Sequence, residues 1–268
     1  MNAVMQTSEG AGTVPQQRFE VRFARTPEEI RETQQLRYRI FAGELGAQID
    51  GGEAGIDHDQ YDPYCRHLMV RDLENHQLAA CTRILSGEGA ANAGGFYSAS
   101  EFDLAMLDSL PGKVMEIGRT CVDADYRGGA AIALLWQGIA ACVVEDGYDY
   151  LFGCASIDLA DGGATAHSIL DTLRGKYLAE DNKRVRPFIP LPAADARCLH
   201  KPKMPPLLKA YLSLGAKACG EAYWDRDFNC ADIFMLLDVS ELNPRYARHF
   251  LGHARSAALA EERMPLAA

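Results

Sequence analysis

The stretch Lys113–Gln137, KVMEIGRTCVDADYRGGAAIALLWQ, decides how this chain is to be read. Val114 to Val122 is dense in β-branched and apolar residues and predicts a strand. Asp123, Asp125, Gly128 and Gly129 punctuate it as a tight turn, and Ala130 to Val144 reads as a helix apolar almost all round, hence buried. Glycine lets a backbone approach a ligand closely. The free N–H groups that open a helix, at the positive end of its dipole, form an anion site, so a phosphate is the expected guest. The two phosphate fingerprints built on the same physics, G-x-G-x-x-G and G-x-x-x-x-G-K-[ST], are absent.

Around this unit the composition is that of a globular protein with a sizeable core: 268 residues, 48% hydrophobic and 24% charged, expected to form one main domain. A net charge of −10 argues against general nucleic-acid binding while leaving room for a local basic patch. The eight cysteines stand mostly in apolar contexts without C-x-x-C or zinc spacing, which suggests small core residues in a reducing cytosol and no metal. Residues 1–17 have neither the basic nor the apolar region of a secretory signal and read as a disordered tail. No apolar run reaches the roughly 20 residues that span a bilayer, so any membrane contact is expected to be peripheral.

The main domain is expected over residues 18–240. Phe19 to Ala24 alternates like a strand, and Thr26-Pro-Glu-Glu29 is a capping box opening a helix to about Ala42. Ile30, Leu36, Ile40 and Phe41 form its inward stripe. Arg37 shares that stripe, where a lone guanidinium is costly, so it calls for a carboxylate partner or a polar cavity. Gly46 to Asp62 is a loop of glycines and acids without calcium-loop spacing. Strands are expected at His67–Asp72 and Gln77–Ser86, with Arg83 in the second, and then a short helix at Glu101–Leu107 capped by Ser100. After the central unit comes a strand at Tyr150–Ser156. An insertion is expected over 157–204, holding a helix at Thr165–Tyr177 and the most basic stretch of the chain: Lys183, Arg184, Arg186, Lys201 and Lys203. A helix from Pro206 to Leu214 stopped by Gly215, strands at Ala216–Trp224 and Ala231–Val239, and a basic amphipathic helix at Pro244–Arg263 within a 241–268 tail complete the order. That last helix fits docking on its own domain or on a membrane surface.

This order, and Arg127-Gly-Gly-Ala130 after Val122, resemble the acyl-pantetheine loop and α/β fold of the GNAT acyltransferase superfamily. The resemblance implies a mixed central sheet with splayed strands and flanking helices, an insertion before the last core helix, and a pantetheine site at Val122, Arg127, Gly128, Gly129, Ala130 and Ala131. Leu36-Arg-Tyr-Arg-Ile-Phe41, Glu44-Leu-Gly46, Asp59-Gln-Tyr-Asp62, Arg83 and Glu116-Ile-Gly-Arg119 resemble the ordered signature of acyl-homoserine-lactone synthases. Ala47 stands where those enzymes usually carry an aromatic. A closer resemblance is to the L-ornithine Nα-acyltransferases of ornithine-lipid synthesis, carried by Asp59-Gln-Tyr-Asp-Pro-Tyr-Cys65-x-His67-Leu, Phe96-Tyr-Ser98-x-x-Glu101-Phe, Gly118-Arg119-x-Cys121-Val122, Leu135-Trp136-x-Gly138-Ile139, Phe152-Gly-Cys-Ala-Ser156, Pro205-Pro-Leu-Leu-Lys-Ala-Tyr211-x-x-Leu-Gly215 and Asp227-Phe-Asn229-x-x-Asp232.

That resemblance implies a cytoplasmic enzyme, peripheral on the inner membrane face, that needs no cofactor. It would move a 3-hydroxyacyl chain from the phosphopantetheine of acyl carrier protein to the α-amine of L-ornithine. Another amino-acid acceptor, lactone synthesis, and a carrier-binding module without catalysis stay open. Glu116 is the expected general base, through a water, with Arg119 beside it in the catalytic pair. Arg37, Arg83, Asp59 and Asp62 would hold the amino acid. Strand alternation puts Glu116 and Arg119 on opposite faces, so they share a site only if the strand carries a bulge. Because acyl carrier proteins are acidic, the five basic residues of the insertion, with Arg127, are expected to dock the carrier beside the pantetheine entrance.

Overall fold

The structure, a computed structural model, describes residues 18–49, 55–193 and 202–243. The tail at 1–17, Lys201 and the helix expected at 244–263 lie outside these residues. In chain order the elements are β1 (Phe19–Phe23), α1 (Pro27–Tyr38), β2 (Arg66–Asp72), β3 (Leu78–Ser86), α2 (Gly87–Ala93), β4 (Phe102–Asp103), β5 (Val114–Val122), α3 (Ala130–Asp146), β6 (Tyr150–Asp158), α4 (Ala164–Lys176), β7 (Arg186–Pro187), α5 (Pro206–Leu214), β8 (Lys217–Ala218), β9 (Tyr223–Asp225) and β10 (Cys230–Asp238).

The main sheet runs β1-β2-β3-β5-β6-β10-β8, with β9 also on β10, and β4 and β7 pair separately. Every junction of the main sheet is antiparallel except β5–β6. A parallel junction needs a crossover, and α3 supplies it. The β5–β6 ladder runs only from Val114↔Tyr150 to Glu116↔Phe152, after which the strands part. Gly153 stands at the fork, where a Cβ would lie 2.2 Å from the Ile117 carbonyl oxygen. Only glycine allows so close an approach.

One face of the sheet is covered by α3, α4 and α5, whose Leu135, Ile139, Ile169, Leu173, Leu208 and Tyr211 join Leu68, Ile84, Met115, Ile117 and Ile233 in one core. Each such apolar side chain contributes about 1.5–3 kcal/mol on burial. On the opposite face α1 sets Leu36, and the turn that follows it Ile40, against Met69, Cys81 and Cys121. Beside it Phe102, Phe152 and Phe234 pack together with Val185.

Several elements differ from expectation. Thr26 caps α1 by accepting the Glu29 N–H, but the helix passes into a π-helical turn at Arg39–Glu44. The helix expected at Glu101–Leu107 is instead a 3-10 turn (Tyr97–Ser100), β4 and a second 3-10 turn. Phe102 is drawn into the core by pairing with Pro187 of β7, a partner local propensity does not report. A helix forms at α2 despite its glycines, because Ser86 caps the Gly89 N–H. The single strand expected at Ala216–Trp224 is the two short strands β8 and β9. Much of the expected insertion is core, since α4 buries Ala166, Ile169, Leu170 and Leu173 against the same cluster as α3.

Candidate active site

The site is made by an irregularity in β5. Cys81 faces Cys121 and Arg83 faces Gly118, so β5 spends one more residue than β3 over that interval. This is a β-bulge, and Arg119 within it takes the left-handed conformation, φ 51°. Such a backbone costs about 1–3 kcal/mol in a non-glycine residue and persists only where its surroundings hold it. The Thr82 hydroxyl pins the bulge, donating to the Gly118 carbonyl at 3.2 Å and meeting the Thr120 hydroxyl at 2.7 Å. The Arg119 guanidinium lies 4.7 Å from the Tyr97 ring centroid and 4.9 Å from that of Phe228. Regular alternation would separate Glu116 from Arg119; with the bulge both line one cavity.

That cavity, of about 90 Å³, opens where β5 and β6 part. Ile117, Gly118 and Thr120 of β5, Cys154 and Ser156 of β6, and Phe41, Tyr97 and Phe228 form walls. Glu116 is buried and accepts three hydrogen bonds: from Tyr97 N–H at 2.7 Å, Ser98 N–H at 2.8 Å and the Ser98 hydroxyl at 2.5 Å. Burial pushes its carboxyl up, against the opposing pull of Ser98 and Tyr97.

The expected amino-acid ligands separate into two groups. Arg37 is 1% exposed and does not line the cavity. Its guanidinium is fully engaged, with Nε on Asp57 at 2.7 Å, Nη1 on Asp62 at 2.7 Å and Nη2 on the Asp57 carbonyl at 2.7 Å. Asp62, also away from the cavity, accepts further from the Asp59 N–H at 2.9 Å and lies 3.3 Å from Arg83. Burial opposes its ionisation but Arg37 prevails, holding it well below the usual carboxylate range. Arg83 does line the cavity and binds Asp59 at 2.6 Å. The alternating chain Arg37, Asp62, Arg83, Asp59 thus ends at Arg119, which stands 3.3 Å from Asp57 and 3.7 Å from Asp59. Arg119 Nε and Asp59 Oδ2 are buried atoms without a hydrogen-bond partner among the described residues.

Further groups line the cavity that no sequence periodicity points to: Glu101, Asp225 and Asp232, all buried carboxyls. Tyr97, Ser98, Glu101, Phe228 and Asp232 fall inside two segments quoted above for their resemblance, which was the only signal for them. Burial, then repulsion from Asp232, drives Glu101 well above the usual range. Burial pushes Asp232 up to about 6. Ligand atoms of Asp225, Cys230 and Asp232 lie within 4.8 Å of one another, close enough to share one cation, metal or ammonium.

Gly128 and Gly129 lead from a 3-10 turn at Ala124–Tyr126 into α3, beginning with Ala130 and Ala131, and a Cβ on either glycine would point into open space. Gly129 takes φ 99° as the helix cap. Arg127 donates from Nε to the Val122 carbonyl at 3.1 Å and pairs with Glu44 at 2.6 Å, an exposed pair of small energy. Part of the basic cluster lies elsewhere. Lys183 lies 3.5 Å from Asp238, which pairs with Tyr150, itself opposite Val114. The glycine turn follows Val122, the other end of β5, roughly 25 Å away for a strand of that length. Arg184 turns back onto Ala179 and Asp181, while Arg186 is exposed near Asp103 and Lys203 is exposed. Lys183 and Arg184 therefore do not flank the glycine turn.

Comparison with known proteins places this geometry in a family. Residues 36–137 match the acetyltransferase (GNAT) domain. The chain is 34% identical over 246 residues to the L-ornithine N(alpha)-acyltransferase of Rhodobacter capsulatus, covering 87% of this chain and 94% of that one. It is 36% identical over 252 residues to the L-ornithine N(alpha)-acyltransferase of Brucella abortus, covering 87% and 88%. FeeM, an N-acyl amino acid synthase from uncultured soil microbes, shares the fold at a TM-score of 0.50 and 15% identity, over 87% of this chain and 98% of that one. The chain belongs to the L-ornithine N(alpha)-acyltransferase family of GNAT-fold enzymes.

Proposed function

We propose that the protein transfers a 3-hydroxyacyl chain from the phosphopantetheine thioester of acyl carrier protein to the α-amine of L-ornithine, the step that gives lyso-ornithine lipid. The observation that carries this reading is the bulge at Arg119, which brings a base and a guanidinium together in one cavity at the β5–β6 fork. The two relatives, both L-ornithine N(alpha)-acyltransferases, support the acceptor.

The thioester lies in the fork, its pantetheine arm running toward Gly128 and Gly129, with its carbonyl against backbone left without a strand partner where the ladder stops at Glu116↔Phe152. The acceptor enters as an α-ammonium. Glu116, through a water, removes the proton that would otherwise block the nitrogen lone pair. The free amine attacks the carbonyl carbon, the tetrahedral intermediate collapses with cleavage of the C–S bond, and the carrier thiolate leaves and takes up the proton that the attacking nitrogen gives up as the amide forms. Arg119 and Arg83 supply positive charge for the α-carboxylate. The donor is a protein rather than free coenzyme, so one phosphate has to be held at the glycine turn. Among the described residues no helix is long and apolar enough to cross a membrane. We place the enzyme in the cytoplasm, meeting the inner membrane face peripherally, where an amphiphilic product would partition.

Mass spectrometry of the products from purified protein, 3-hydroxyacyl carrier and a panel of free amino acids tests the reading. N-acyl ornithine is expected; a lactone, or acylation of a different amino acid in preference, refutes it.

A further inference from the structure

The cavity is electrostatically two-ended. At the β5 end stands Arg119, whose Nε makes no hydrogen bond among the described residues and lies 3.3 Å from Asp57, with Nη2 3.7 Å from Asp59. The other cation of the cavity, Arg83, is occupied by Asp59 at 2.6 Å and Asp62 at 3.3 Å. Toward β6 and β10 stand Glu101 and Asp232, each 4% exposed. Among the described residues Glu101 accepts only from a thiol, that of Cys154 at 3.3 Å; Asp232 accepts from the Ser156 hydroxyl at 2.5 Å and the Cys230 thiol at 3.7 Å. Neither forms an ion pair with a cation among the described residues. Burying carboxylates this deeply without a counter-charge is costly, so the pair requires either protons or a visiting cation. Asp225, whose Oδ1 takes the Asp227 and Phe228 N–H groups at 2.9 and 3.0 Å, holds this end of the cavity in shape. Tyr97, Phe41 and Phe228 also line the cavity, an aromatic wall suited to methylenes.

We propose that Glu101 and Asp232 form the subsite for the side-chain ammonium of the acceptor, with its α-carboxylate on the Arg119 guanidinium, so that the cavity selects a diamino acid by the spacing of its charges. This rests on the reading of the cavity as the acceptor site of an N-acyltransferase. It differs from the sequence expectation, which set Asp59 and Asp62 among the residues that hold the amino acid: Asp62 is spent on Arg37, and neither lines the cavity. Ammonium binding also displaces a proton. Glu101 faces Asp232, Asp225, Glu116 and the Cys154 thiol, and Asp232 faces Asp225, the Cys230 thiol and, at longer range, Arg119. With acids dominating that surround, burial and repulsion hold a proton on the pair until a cation replaces it.

The test compares ornithine with norvaline, which has the same carbon chain and α-groups but no side-chain ammonium. Titration calorimetry of the full-length protein, in two buffers of different ionisation enthalpy, measures affinity and protons released without requiring turnover. Acyl transfer from a loaded carrier is measured in parallel. The wild type is expected to bind ornithine at least 100-fold more tightly than norvaline, with proton release near pH 7. In Glu101→Gln and in Asp232→Asn the ornithine-to-norvaline ratio should fall at least ten-fold in both affinity and kcat/KM. Two separate variants, each checked by thermal melt, guard against one failing to fold. Equal binding of the two ligands to the wild type overturns the subsite, as does an equal loss for both ligands in both variants. Tight, ammonium-dependent ornithine binding with no acyl transfer would instead refute the enzymatic reading and leave the subsite standing. Absence of ornithine binding overturns both.

Discussion

Replacing Glu116 by glutamine tests two roles at once. The carboxylate accepts on both oxygens: Oε1 from the Ser98 N–H and hydroxyl, Oε2 from the Tyr97 N–H. A glutamine carbonyl can replace Oε1, but its NH₂ then meets the Tyr97 N–H, donor against donor. Losing that charge-assisted bond and leaving a buried N–H unpaired should cost about 2–4 kcal/mol, lowering Tm by about 5–15 °C in a domain of this size. Turnover should fall about 100-fold or more, the usual share of a general base. The assay is single-turnover acyl transfer at saturating ornithine and carrier, run below the variant's melting range, with calorimetric unfolding of the same preparation. A single-turnover rate within a few-fold of wild type would falsify the base assignment. An unchanged Tm would refute the clamp between β5 and the Tyr97–Ser100 turn.

Three further outcomes follow. Gly153→Ala sets a Cβ 2.2 Å from the Ile117 carbonyl and should destabilise by about 1–3 kcal/mol or more; an unperturbed melting curve with full activity would show that the fork tolerates a wider separation. Asp62→Asn leaves Arg37 and Arg83 short of counter-charge in a buried place and should cost about 3–5 kcal/mol, whereas a selective rise in the ornithine KM without loss of stability would return Asp62 to the substrate site. Asp232→Asn tests the pH linkage. Its folded-state pKa is raised from 3.8 to about 6, so the fold binds the extra proton and loses stability as pH rises between those values. Removing the charge should therefore stabilise by up to about 3 kcal/mol above pH 7 and by little at pH 4. Denaturant unfolding at both pH values checks this, and equal effects at both would refute it.

The framework of the fold was legible because it rests on local signals. The apolar run of β5, the glycine turn and α3 share one stretch, and Pro206 to Leu214 is bounded by a proline and a glycine at φ 109°. The need of Arg37 for a carboxylate was also readable from its place on an apolar stripe. Its partners were less so: Asp62 was among the candidates, but Asp57, in an irregular loop, offered no pattern. The acid-lined end of the cavity was hidden for the same reason. Glu101 precedes a two-residue strand fixed by pairing with Pro187, and Asp232 lies on the far side of the fork. Their proximity comes from the sheet order, which no window of sequence contains.

The bulge at Arg119 also inverts the parity of its strand. Before it, odd-numbered Met115 and Ile117 face the α3–α5 core; after it, even-numbered Val122 packs there, while odd-numbered Cys121 faces α1. A straight β5 one residue shorter would keep both faces correctly lined and would lack only the guanidinium. Gain or loss of this site is therefore a change of length rather than of identity. Among related chains, a one-residue gap opposite position 119 would mark a scaffold that keeps its core and has given up the reaction.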